Sequence, residues 1–333
     1  MATASTEPRQ RTRWLRHGFL LLILGLTLAL GILLNPQLLT GGALAAVAVN
    51  GVEVGLMALG ELLVIVGGDG GIDLSVGSMF ALSEVILGVL VARGLNVWLA
   101  TAATLLAGIL LGAVNGLGVT RLGIPAIITT LGTMYAYSGA ALLLTHGVDI
   151  SPFPASFGVL GQGTVAGIPV QLLFIYLPTV VVLGYGLTRT TFGWELYFVG
   201  TNARAAALAG LNPRRTRWWS YVLTGFLSAL AGIIDASRLV TARPDAGAHA
   251  NLAAITIAVL GGADLAGGRG DVSGTVLATA IITVLSYSFS LANVNSVLET
   301  GAVGVVLLVA IAGQRLRRRR HVRSPAPPTP AEG

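Results

Sequence analysis

Two glutamates, Glu53 and Glu61, interrupt an apolar run at about residues 45–66. The block that follows, Val66-Gly67-Gly68-Asp69-Gly70-Gly71-Ile72-Asp73-Leu74-Ser75-Val76-Gly77-Ser78, brings a further carboxylate at Asp73. A charged side chain in hydrocarbon costs about 2.5 to 3.5 kcal/mol on insertion scales, so each acid needs a proton or a polar partner inside the protein. Residues eight apart lie about 80° around a helix, which lets Glu53 and Glu61 share an inward face. Hydrogen bonding between helices is the reading for Glu53. For Glu61 a polar lining of a solute path stands beside it. Asp73 precedes a helix start, where a carboxylate accepts N–H bonds and meets the positive end of the dipole, so it suits a cap or a contact with solute. Asn115, Thr129, Thr130, Thr133, Asn293 and Asn295 add hydroxyl and amide groups that bridge helices or line a hydroxyl-binding path.

Covalent and metal chemistry is not indicated. There is no cysteine, so disulfides, thiolate metal sites and thiol nucleophiles are excluded, and four dispersed histidines make no metal cluster. All twenty basic residues are arginine; without lysine the chain has no phosphate loop of the Gly-x-x-x-x-Gly-Lys-Ser/Thr type. No nucleophile or acid/base constellation stands out, so an enzyme is not expected.

The elements that must position these residues are membrane spans. Hydrophobic residues make up 54% and charged residues 10% of the 333, and mean hydropathy is +0.82, against roughly 25% charge in a soluble domain. The 45 glycines suit spanning helices that pack through small residues. Apolar runs of about 20 residues predict spans near 17–34, 45–66, 74–92, 96–119, 124–144, 169–187, 217–236, 250–262, 272–291 and 294–313. The eighth is short and open to a re-entrant path. The expected fold class is an all-α polytopic membrane protein.

Charge orients the spans. Arg9, Arg11, Arg13 and Arg16 precede the first, and Arg315, Arg317, Arg318, Arg319, Arg320 and Arg323 follow the last. Such clusters stay cytoplasmic beside anionic lipid, which is the reading preferred to nucleic acid for the net charge of +6. Both termini are then cytoplasmic, as residues 1–16 and as a basic, proline-rich, disordered tail at 314–333 around a 17–313 membrane domain. Cytoplasmic loops fall at 67–73, 120–123, 188–216 and 263–271; Arg217 stands at the edge of the third, and apart from it only Arg93, Arg238 and Arg243 lie outside them and the termini. Leu33-Leu34-Asn35-Pro36 lacks a small-residue cleavage site, so the first span reads as a retained anchor. Asp149 to Pro169, broken by prolines and glycines, reads as the main exterior loop.

Inside the 188–216 loop, Ala203 to Ala209 forms a short helix between an N-cap, Asn202, and a stop, Gly210. At about seven residues it cannot span. Arg204, Arg214, Arg215 and Arg217 hold it at the cytoplasmic face, where it suits the groove of a partner or serves as a plain connector. Gly261-Gly262-Ala263-Asp264-Leu265-Ala266 echoes Gly70-Gly71-Ile72-Asp73-Leu74-Ser75, and duplicated halves are frequent in transporters.

Three blocks carry a specific resemblance: Gly70 to Ser78; Gly200-Thr201-Asn202 with Ala205-Ala206 and Gly210-Leu211-Asn212; and Leu260 to Gly270. In order and spacing, over about 45–313, they resemble the permease subunits of bacterial ABC importers for simple sugars, the ribose, xylose and arabinose group. The resemblance implies about ten helices in the architecture of the vitamin B12 importer and a homodimer or heterodimer of permeases. It also implies separate ATPase subunits that hold ATP and Mg, an extracytoplasmic sugar-binding protein, and a place in the inner membrane. Carried over, Gly200, Asn202, Arg204, Ala205, Ala206, Gly210, Leu211 and Asn212 would form the coupling helix on the ATPase. Glu61, Gly70, Gly71, Asp73, Ser75, Asn115, Gly261, Gly262 and Asp264 would belong to the path or its structural motifs. The chain differs from the family pattern at Asn251-Leu252-Ala253, where members often have an acidic pair, and at Ala263-Asp264, where Thr-Ser is typical. An ion-coupled transporter with Glu61 or Asp73 as ion site, and a related permease for branched-chain amino acids or nucleosides, are the alternatives.

Overall fold

The computed structural model describes residues 7–151, 153–248 and 250–322. In chain order the helices are α1 (Glu7–Leu34), α2 (Gly41–Val66), α3 (Val76–Ala92), α4 (Val97–Thr120), α5 (Ala126–Thr145), α6 (Val159–Gln162), α7 (Leu177–Arg189), α8 (Thr191–Thr201), α9 (Ala203–Leu208), α10 (Pro213–Leu239), α11 (Ala250–Leu260), α12 (Val272–Leu291) and α13 (Ser296–Val322). Among the described residues seven apolar helices are long enough to cross a membrane: α1 from His17, α2, α4, α5, the continuous stretch Leu172–Arg189 ending in α7, α10 and α12. Shorter apolar helices, α3, α11 and Val297–Ala312 within α13, occupy the other three expected positions. Helix α13 runs on to Val322, into the stretch expected as tail; the rest of the tail lies outside the described residues.

Two further features depart from the sequence expectation. Helix α8 was not among the expected elements; Thr190 caps it by accepting from Gly193 N, and Leu196 and Val199 bury one side. The Asp149–Pro169 stretch contains a two-strand hairpin, Thr164–Val165 with Ile168–Pro169. Positive φ at Ala166 and Gly167 gives its two-residue turn the twist that hairpins favour.

Helix α2, apolar apart from Asn50, Glu53 and Glu61, lies at the centre, with 83% of its span buried against 11% for α1. Helix α10 runs antiparallel beside it. Its Arg217 end meets Gly67 and Asp69 at one end of the bundle, called the foot, and its Arg238 end meets Glu53 toward the other, the head. Against α4, α10 packs backbone to backbone: a Cβ on Gly225 would lie 2.7 Å from Gly112 N, a distance real Cβ atoms do not show. Glycine here allows the close approach on which helix association in lipid depends. Helix α1 lies along α12 in the same direction, His17 Nε2 to Asp271 Oδ2 at 2.8 Å and Asn35 Nδ2 to Leu291 O at 3.2 Å.

Helix α11 has 11 residues, which rise about 16 Å, half the roughly 30 Å of a hydrocarbon core. Non-helical residues 241–248 cover the remaining depth, anchored by the Ile150–Ala242 bridge. Asn251 Oδ1 accepts from Gly77 N at 2.5 Å, so α11 starts beside the first turn of α3. Irregular backbone at such depth persists where protein surrounds it.

Candidate functional site

Glu61, Asp73, Ser75 and Asn115, four of the residues singled out from the sequence, come together in one fully buried cluster. The Asp73 N–H donates to Glu61 Oε1 at 3.1 Å. Asp73 Oδ1 accepts from Ser75 N at 2.9 Å and from Ser75 Oγ at 2.6 Å, and Oδ2 accepts from Asn115 Nδ2 at 3.2 Å. Asn115 Nδ2 also reaches Ser75 Oγ at 2.7 Å, and Thr130 Oγ1 donates to Ile72 O at 3.2 Å. Burial raises the Asp73 carboxyl above its ordinary range, opposed by its donors from Ser75 and Asn115. Asp73 is no cap of the usual kind: α3 begins with Ser75 as N-cap, and of the N–H groups at that helix start the Asp73 carboxylate, two residues earlier, accepts only that of Ser75, while Asn251 takes the Gly77 N–H. Tyr221, which the sequence did not single out, brings a buried hydroxyl without a partner among the described residues within electrostatic reach of Asp73 and Glu61.

Glu53 belongs to a second cluster toward the head. Its Oε1 accepts from Arg238 Nε at 2.7 Å, Arg238 also pairs with Asp235, Arg243 Nη2 meets Asp235 Oδ2 at 2.9 Å, and Arg243 N donates to Glu84 Oε2 at 3.0 Å. This is interhelical bonding, as expected for Glu53, joining α2, α3 and α10. Glu84 and Asp235 were not singled out. The available signal was Arg238 and Arg243, which lie well away from the expected cytoplasmic segments. Thr129, Thr133, Asn293 and Asn295 bond locally instead: Thr129 to Ile124 O, Thr133 to Thr130 O, Asn295 to Val297 N, and Asn293 sits in a turn with positive φ.

The foot gathers the remaining motif residues. Asn202 caps α9 by accepting from Ala205 N at 3.0 Å; Leu211 N donates to Ala206 O, and Gly210, at φ +84°, ends the helix in a left-handed residue. Asn212 then caps α10 by accepting from Arg215 N at 3.1 Å, with Pro213 in its first turn. Arg204 lies on α9, whose Leu208 is 92% exposed. Gly70 takes φ +66°, and a Cβ on Gly71 would press on Val64 O. In the echoing block Asp264 Oδ1 accepts from Ala266 N at 3.1 Å, the same two-residue reach as Asp73 to Ser75. Gly261 lies against Thr275 on α12, and Gly262 turns at φ +105°.

Apolar helices in this number, around a centre whose buried acids are all engaged with other protein groups, define a polytopic membrane transport component. The comparisons make this specific. The family model for the permease component of branched-chain amino acid transport systems matches residues 43–312, and the chain belongs to that family. It is 35% identical over 310 residues to the autoinducer 2 import system permease protein LsrD of Enterobacter sp. (strain 638), covering 91% of this chain and 93% of that protein. The LsrD permease of Klebsiella pneumoniae is 34% identical over 296 residues, 86% and 88% of the two chains. That of Salmonella typhimurium is 34% identical over 295 residues, 87% and 88%. No solved structure matches the chain.

Proposed function

We propose that this chain is the membrane-spanning permease subunit of an ATP-driven importer. Its solute is a small polyhydroxylated molecule, a simple sugar or a solute of the autoinducer 2 kind, delivered by an extracytoplasmic binding protein. The observation that carries the reading is α9. A six-residue helix capped at both ends holds Leu208 almost wholly bare, and a large apolar side chain fixed in that way calls for cover from another protein. ATP-binding subunits supply that cover and hold ATP and Mg, since a chain without lysine has no phosphate loop of its own.

Nucleotide binding closes the motor subunits and moves α9, and the permease, paired with a second copy or a close relative in an arrangement like the vitamin B12 importer, alternates access between its faces. Ten crossings with both termini cytoplasmic fit the contacts: α1 and α12, expected as first and ninth crossings, run in the same direction, and α2 and α10, second and seventh, run oppositely. The foot is then cytoplasmic, in the inner membrane, and meets the motor.

The test is purification of the full chain with its ATP-binding subunits. We expect a stable complex, and expect Gly210→Val to keep it while cutting solute uptake per ATP about tenfold, within the usual range of coupling between sites. A β-branched residue at φ +84° is strained. A complex in which α9 touches no ATP-binding subunit would overturn the reading.

A further inference from the structure

The end of α2 and the glycines that lead into the first sequence block meet the second and third blocks at one point of the foot, and what meets there is main chain. A Cβ on Gly68 would lie 2.7 Å from Gly200 O, and one on Gly200 would lie 2.5 Å from Gly268 N and press on Val66 O. A Cβ on Gly267 would lie 2.7 Å from Gly200 O, and one on Gly268 would lie 2.7 Å from Thr201 N. Gly268 N donates to Val66 O at 2.9 Å, closing the triangle between the end of α2, the end of α8 and the loop from α11 to α12. Side-chain bonds brace it: Tyr197 OH to Gly270 O at 2.9 Å, Arg217 Nε to Gly67 O at 3.0 Å, and Thr216 Oγ1 to Glu195 Oε2 at 3.2 Å. Gly68, Gly267 and Gly268 also hold positive φ, whereas Gly200 is helical, so at Gly200 only the contact demands glycine.

We infer that Gly68, Gly200, Gly267 and Gly268 form the joint through which displacement of α9 reaches α2 on one side and the α11–α12 loop on the other; this rests on the reading of α9 as the motor-facing element. Closely packed interiors compress little and pass strain onward. Direct contact of backbones leaves no side-chain rotamers to absorb a movement before it arrives. Gly200 lies three residues before the start of α9 and touches the last carbonyl of α2. Five residues up that helix is Glu61, which holds the Asp73 N–H and with it the buried cluster beside α3 and α4. The second arm runs through Gly267 and Gly268 to Gly261, packed on the first turn of α12. The four glycines are positioning residues: they act through the groups they move.

The experiment uses the whole chain with its ATP-binding subunits in proteoliposomes. The chain has no cysteine, so Thr130→Cys beside the Glu61 cluster supplies a single thiol, and its labelling by N-ethylmaleimide is read with and without ATP and vanadate. With the joint intact, nucleotide should change the labelling rate about tenfold, and Gly200→Ala should reduce that change to about twofold or less, while the subunits still co-purify in normal ratio. A packing role alone would lower the melting temperature and leave the nucleotide response whole; that result overturns the joint. Should Gly200→Ala fail to assemble, Tyr197→Phe removes the hydroxyl that braces Gly270 O, and an unchanged response there overturns it equally. Absence of any ATP-binding subunit from the purified wild-type complex would instead overturn the motor-facing reading itself.

Discussion

At the scale of single residues, the acids inside the apolar helices differ in what completes them. Glu53 and Asp235 share Arg238, and Asp235 itself is 1% exposed. Removing one partner of a buried pair leaves the other charged without compensation, at a cost of about 3–5 kcal/mol. Arg217 also pairs with a carboxylate, yet Asp69 is 72% exposed, and such a pair contributes about 0–1 kcal/mol. Thermal unfolding in detergent should therefore separate Arg238→Ala, with a large fall in melting temperature, from Arg217→Ala, with a fall of a few degrees at most. Equal effects would remove the head cluster from the account of stability. The Glu61 cluster works differently, since its two carboxyls meet through a backbone N–H and amide and hydroxyl donors rather than a guanidinium.

At the scale of elements, the α4–α10 contact is where substitution should be most disruptive. Gly112 and Gly225 approach so closely that Gly112→Leu has no room without separating the helices. Overpacking of this kind costs about 1–3 kcal/mol or more, and we expect the variant to accumulate poorly in membranes while Gly132→Leu, which faces open space, accumulates normally. Immunoblotting of membrane fractions distinguishes the two. Most elements were legible in the sequence because hydrocarbon demands long apolar runs, and α9 because Asn202 and Gly210 are strong local signals. Helix α8 was not, since its polar flanks and moderate length gave no span and its burial is decided by packing against α10 and the α11–α12 loop. Nor was the partner of Asp73: a carboxylate before a helix suggests a cap, but the three-dimensional path of the glycine loop decided that it would reach Ser75 and Asn115 instead. The meeting of Glu61 with Asp73 joins residues 12 apart across a turn whose shape depends on Gly68 and Gly70 holding positive φ.

At the scale of the whole molecule, one polar cluster toward the head pins α2, α3 and α10 together, and a lower one ties α2 to the start of α3 and to α4. Helices α1, α5 and α7 keep most of their apolar surface bare, as lipid or a second permease would require. The centre is thus stiff and the rim is free, a division that suits a component whose faces must open in turn.

The Glu53–Arg238 pair spans 185 residues of chain. A ribosome adding about 5–20 residues per second leaves Glu53 without its arginine for roughly 10–40 s after the second helix has emerged. Through that interval the nascent helix must linger at the translocon or under an insertase, or carry a proton, because free in lipid its acid would favour slipping back toward water. A chain ended at residue 212 should remain crosslinkable to the insertion machinery, while one ended at residue 245 should leave it; equal release of both would show that Glu53 does not wait for its partner.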